Sequence, residues 1–302
     1  MPLSSKLHND ELLSAVSVKY QNVGYIADKV FPEVPVVKTS DKYRIYARNF
    51  RLPQTKVANK GLSNEHQFDV STATYNLQKH GLRDLISDDE EDNYDQASLR
   101  RDTTEELTDK ILLRKEKSIA DLFTSTNWSL GVSLAATAAW SSNSTASNPI
   151  PLMDTAATTI LNNSGFLRNF AIIPHVSKVN AKNHTSIADR VKYTSAEITD
   201  NTLKGLFDLQ ELLVPTAQID TAAEGIADSI GDVWPDIVFV GYKPPRASPK
   251  APSCGYTFTK KGKFYVTRYR EEGREGEWID VKSHYDQKIV ASLTGYLIKD
   301  VV

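Results

Sequence analysis

The sequence predicts an α+β chain made of an extended arm, a two-stranded projection, a long helix and an α/β portion to which late strands return. Three observations carry this prediction. Residues 38–84 alternate apolar and polar side chains on both sides of a polar tip, the mark of paired strands. Residues 88–125 repeat apolar side chains at helical spacing with no Gly or Pro in the run. Beyond residue 150, short apolar strands alternate with helical segments punctuated by Gly and Pro.

Residues 1–37 read as an arm with one short helical signal from Asp10-Glu11-Leu12-Leu13 onward. Pro32 and Pro35 interrupt the apolar run Val30 to Val37, remove ladder donors and predict an edge or wrapping segment. In 38–84, Tyr43, Ile45 and Ala47 share one strand face, and Lys42, Arg44, Tyr46 and Arg48 share the other. The return limb runs from Phe68 to Leu77, and Leu52 to Gly61 forms the tip. An isolated hairpin of this length is barely stable in water, so it must rest on something else.

The helix over 88–125 has a narrow apolar stripe of Leu99, Leu107, Ile111, Leu112, Ile119, Leu122 and Phe123. Helical throughout, it would be a rod of about 50 Å, and its acidic start suits the positive end of the helix dipole. The Ser/Thr/Asn-rich stretch 140–149 reads as a loop. Helices are predicted over Ile150–Leu161, stopped by Gly165, over Val176–Asp189, and over Thr199–Phe207 with Thr199 as N-cap. Strands are predicted at Phe170–Ile173, Glu211–Ile219 and Asp236–Tyr242, in the alternating tail from Tyr256 with a turn at 271–277, and at Val290–Val302.

Composition narrows the function classes. The chain of 302 residues has a net charge of −2, which argues against a dedicated nucleic-acid binder. The single Cys254 excludes an internal disulfide and a cysteine zinc site, and with no base beside it reads as an ordinary thiol. No stretch approaches a membrane span and the N-terminus lacks a signal core, so synthesis in a reducing cytoplasm is expected. His8, His66, His80, His175, His184 and His284 form no HExxH motif or helical pair. There is no nucleophile elbow and no phosphate-binding loop. Asp88, Glu90 and Asp92 alternate as metal ligands can, but an EF-hand needs Gly at Asn93 and an acid at Leu99. No catalytic residue, cofactor or metal is expected, and the chain does not read as an enzyme.

Charge distribution points elsewhere. Lys38, Lys42, Arg44, Arg48, Arg51, Lys56 and Lys60 face a single acid in 38–60, while Asp84, Asp88, Asp89, Glu90, Glu91, Asp92 and Asp95 have no base among them. Opposite patches on one chain steer and register head-to-tail contacts between copies, and such contacts close into rings or shells.

This order of parts resembles the major capsid protein of tailed bacteriophages, whose shell fold is also that of encapsulins. The stretches that carry the resemblance are Ala27-Asp28-Lys29-Val30-Phe31-Pro32-Glu33-Val34-Pro35-Val36, Ile187 to Tyr193, Ile198 to Phe207 and Thr294 to Asp300. The resemblance implies an N-arm at 1–37, an extended loop at 38–84 and a peripheral domain with a spine helix at 85–149. It further implies an axial domain at 150–255, peripheral strands at 256–287 and a closing axial strand at 288–302. It implies pentamers and hexamers in an icosahedral head around double-stranded DNA, assembled in the host cytoplasm and residing in the virion. Lys42, Arg44, Arg48, Arg51, Lys56 and Lys60 of one copy would then meet Asp88, Asp89, Glu90, Glu91 and Asp92 of another. A separate scaffolding protein, a portal, cement or decoration proteins and non-specific DNA contact on the inner face are the implied partners, with no membrane and no covalent crosslink. The alternatives are an encapsulin-like compartment, or a metal-dependent enzyme using the acids of 88–95.

Overall fold

The computed structural model describes residues 22, 24–46, 48–66, 69–93, 99–144, 146–192, 197–223, 225–246, 251–260 and 264–302. The helical signal near Asp10, and the positions Ala47, Phe68 and Asp95, lie outside them.

A one-turn helix, α1 (Ala27–Val30), leads into β1 (Glu33–Val36). The stem strands are β2 (Ser40–Tyr46) and β3 (Val70–Asn76), followed by β4 (Gln78–Ser87), α2 (Asp88–Asp92) and α3 (Leu99–Ala120). The described helix is thus shorter than the 88–125 expected, because Asn93 ends α2 and a turn at 121–122 ends α3. Next come β5 (Gly131–Ser133), α4 (Pro149–Ser164), β6 (Phe170–Ile172), α5 (His175–Asn183), α6 (Thr185–Val191) and α7 (Asp200–Leu206). The remaining strands are β7 (Glu211–Leu213), β8 (Gln218–Asp220), β9 (Ile230–Asp232), β10 (Ile237–Gly241), β11 (Gly255–Lys260), β12 (Tyr265–Glu271), β13 (Gly276–Ile289) and β14 (Gly295–Lys299). Among the described residues no helix is long and apolar enough to cross a membrane.

Two five-stranded sheets organise these elements. In the first, the long β13 pairs antiparallel with β4, β12 and β11, and β1 adds parallel to β11 as an edge strand. Pro35 is tolerated there as an edge position allows. The second sheet has the order β5-β14-β10-β6-β7. Its alternating side chains fill two cores. Ala171, Val238, Val240 and Ile298 pack with Met153, Ile160, Ile187 and Leu203 of the helices. Phe170, Ile172, Phe239 and Leu297 pack on Val30, Phe31, Ile119, Phe123, Trp128 and Trp234.

Three expectations need correction. The strand expected over Glu211–Ile219 ends at Leu213. Pro215 supplies no donor, and β8 pairs instead with β9 in a separate two-stranded hairpin. The closing strand spans Gly295–Lys299 and not Val290–Val302, since Ser292–Thr294 forms a 3-10 turn before it. The helix expected over Val176–Asp189 is two helices, broken at His184, whose ψ is 133°.

The break is held by the imidazole. Nδ1 of the buried His184 accepts from the Ser186 amide at 3.2 Å and so caps α6, while Nε2–H donates to Ser147 Oγ at 3.1 Å. Burial holds its pKa below the ordinary value. His80 and His284 are lowered too, first by burial and then by neighbouring cations. Groups whose folded pKa is depressed bind more protons unfolded, so the stability of the neutral rings is full above about pH 6.5 and lost as pH falls through the folded values. Thermal melts should therefore be flat from pH 8 to 7 and decline below about 6.5. His184→Asn should flatten that slope.

Candidate inter-subunit surface

The extended loop is built from its stem outward. Tyr43 and Tyr75 lie on Phe258 with ring centroids 5.3 and 4.7 Å away, and Asp286 accepts the Asn76 amide at 2.8 Å. The ladder stops at the Tyr46–Val70 pair. Beyond it, residues 48–66 carry no regular strand and fold on local bonds, such as Asn64 Nδ2 donating to Gln54 O at 2.5 Å. Arg48 Nη1 donates to Asn163 O at 2.6 Å, at the negative end of α4. Phe50 fills the space where a Cβ on Gly165 (φ 77°) would stand, 2.8 Å from Phe50 Cζ. Lys42, Arg44, Arg48, Arg51, Lys56 and Lys60 are all exposed. So are Leu52, at 97%, and Leu62, at 94%.

The acidic block has a different character. Ser87 and Glu90 form a capping box, Ser87 N donating to Glu90 at 3.0 Å and Glu90 N to Ser87 Oγ at 3.3 Å. Arg270 grips both oxygens of Asp88 at 3.0 and 2.7 Å and holds its carboxyl below the usual range. Glu91 pairs with Arg100 at 2.7 Å, and Arg100 also meets Glu277 at 2.8 Å. Asp89 and Asp92 are left exposed, with no ion pair among the described residues. Within one chain no ion pair joins the basic loop to this block among the described residues. Among the described residues no group of three or more His, Cys, Asp or Glu gathers to hold a metal. Cys254 is buried, its thiol pushed up to about 12 by burial, and approaches Val30 O.

Sequence reasoning missed the charged latch between arm and α3. Lys115 and Glu116 are not among the apolar stripe residues read from the sequence, yet both are buried. The Lys115 ammonium sits between Asp28 and Glu33, the latter at 2.8 Å. Glu116 accepts the amides of Ile26 at 3.1 Å and Ala27 at 2.8 Å, and Trp234 Nε1 at 2.6 Å. It thereby caps α1, which has no cap of its own. The signal was spacing: Lys115 lies four residues from both Ile111 and Ile119, and Glu116 four from both Leu112 and Ala120, inside the apolar stripe.

No protein-family model matches the chain. Curated relatives do. The chain is 26% identical over 303 residues to the major capsid protein of Burkholderia phage BcepMu, covering 97% of this chain and 96% of the relative. It is 30% identical over 241 residues to that of Pseudomonas phage JBD67, covering 74% of each. Among solved structures, a phage-related protein of Bordetella bronchiseptica RB50 aligns with a TM-score of 0.73 and 26% identity over 97% of both chains. The capsid of cyanophage P-SCSP1u aligns at 0.65 with 10% identity over 98% of this chain and 93% of that one. The encapsulin of Synechococcus elongatus PCC 7942 aligns at 0.55 with 10% identity, over 98% and 96%. The last two likenesses speak to the fold alone, which is that of tailed-phage capsid shells.

Proposed function

Because the chain belongs to the major capsid proteins of tailed phages, structural components of the virion shell, we propose that it assembles into pentamers and hexamers that close an icosahedral head around double-stranded DNA. The observation that carries this is the loop: six exposed cations and two nearly bare leucines stand on a limb whose described contacts with the rest of the chain are made by its stem, Arg48 and Phe50. Isolated, that surface is a liability; against a second copy it becomes a register device. We assign residues 1–37 to an N-arm, 38–84 to the extended loop, 85–149 and 256–287 to a peripheral domain, and 150–255 with 288–302 to an axial domain. The basic residues of the loop stem and the outward acids Asp89 and Asp92 are the charged inter-subunit contacts. Asp88, Glu90 and Glu91 act first within the chain. A scaffolding protein, a portal and decoration proteins complete the head, which assembles in the host cytoplasm and touches DNA non-specifically.

Negative-stain electron microscopy beside light scattering tests the reading. Closed shells, capsomers or tubes are expected, and a strictly monomeric species in every salt, with and without scaffold, would sink it. Particles filled with protein cargo instead of nucleic acid would make the chain an encapsulin-like compartment. Trypsin should cut the unassembled chain first after Arg51, Lys56 and Lys60, and assembly should protect those bonds. Equal cleavage rates in both states would mean that the loop stays free in the particle.

A further inference from the structure

We propose that the tip of the extended loop, residues 51–62, seats on the β8–β9 hairpin, residues 218–232, of a neighbouring copy of the chain. The proposal rests on the shell reading and adds a contact which that reading does not assign. The two segments match in charge. Residues 51–62 carry Arg51, Lys56 and Lys60 and no acid, while the described residues of 218–232 carry Asp220, Asp228 and Asp232 and no base. They match in apolar surface as well: Leu52 and Leu62 on the tip face water, as do Ile226, 68% exposed, and Ile230, 70% exposed, on the hairpin. Within one chain no hydrogen bond or ion pair joins them among the described residues.

The hairpin is built as a post. Its root is pinned to the arm, where the Asn22 side chain donates to Gln218 O at 3.1 Å and accepts from Gln218 N at 3.0 Å. Asp220 spends its carboxylate on closing the turn, accepting the Ala222 and Ser229 amides, each at 2.9 Å. Asp228, by contrast, is exposed and has no ion pair among the described residues. Among the described residues the β8–β9 sheet has two strands. The acidic block at 88–92 cannot offer the same seat. It has no exposed large apolar side chain, and three of its five acids are engaged internally. Tip and hairpin are different patches of one chain, so the contact is heterologous and propagates head to tail, as a capsomer ring requires.

Charge reversal and crosslinking test this on the full chain. Asp228→Lys, and separately Lys56→Glu, should each lower the yield of particles on the order of tenfold, because a like charge then enters a complementary contact. Combining them should restore it to within about threefold. In a second arm, Ala58→Cys and Ala227→Cys are introduced together, and particles are treated with a short bis-maleimide; the buried Cys254 does not compete. A ladder of linked chains in particles, with none in the unassembled protein, supports the seat. Particles that form normally yet give no ladder overturn it and leave the shell reading standing. If the cysteine variant forms no particles, the reversal arm decides: a combined variant no better than its parents overturns the seat. Absence of particles from the unaltered chain overturns the shell reading and the seat with it.

Discussion

Glu116→Ala is expected to be among the most damaging single changes outside the loop. The carboxylate is fully buried and accepts the Ile26 and Ala27 amides and the Trp234 indole N–H. Truncation leaves three buried donors without an acceptor, each costing about 1–3 kcal/mol, so a loss of about 3–5 kcal/mol follows after partial relaxation. Burial, the largest influence, raises the pKa of this carboxyl, while the donors pull it down. The carboxylate holds the arm through the three N–H groups it accepts. Glu116→Gln keeps one carbonyl oxygen and should lose only about 1–2 kcal/mol. Urea unfolding of the unassembled protein, followed by tryptophan fluorescence, checks both. Equal losses for the two variants would mean that the charge itself is required.

Phe31→Ala should cost a similar amount by a different route. Phe31 has no exposed surface, stands 5.9 Å from the Phe123 ring and closes the core between α3 and the second sheet. Emptying such a site costs about 3–5 kcal/mol, the spread depending on how far the walls collapse. Its neighbour makes the argument sharper. A Cβ added at Gly255 would lie 2.4 Å from Phe31 Cζ, so Gly255→Ala alone should destabilise by overpacking. In the double variant the new methyl enters the space that Phe31 vacates, so the two losses should sum to less than their parts. Strict additivity in unfolding midpoints would show that ring and glycine do not share one volume.

The parts of the chain governed by local rules were legible in the sequence. Helix α4 begins with Asn148 as N-cap and Pro149 at its first turn and ends at Gly165 with φ 77°, and Thr199 caps α7 as expected. The stem pairs as its alternation requires, Tyr43 opposite Ala73 and Arg44 opposite Thr72. What failed to show was set by distant partners. No Gly or Pro breaks the helical period at His184; the break is made by a ring bonded to Ser147 from another segment. In the run from Leu212 to Ile219, Pro215 marks where the strand ends, but that Gln218–Asp220 leaves the sheet to pair with Ile230–Asp232 is shown only by the fold. The acidic block was visible as composition, but its engagement by Arg270 depends on a strand 182 residues away. Charge can be counted in a sequence; which charges are already spent cannot.

The pairing of first elements with last has a consequence for synthesis. Glu33 of β1 finds Thr257, Asp84 of β4 finds Ile279, and Val132 of β5 finds Ile298. Neither sheet can close until the strands between residues 255 and 299 have left the ribosome, and such non-local pairing is slow to form. Phe258, the platform on which Tyr43 and Tyr75 rest, arrives late as well. A nascent chain thus emerges with its basic loop already made but with no platform to hold the loop in place. Translation itself becomes a timer: a growing copy gains a seated loop able to join a neighbour only after residues 255–299 have been made.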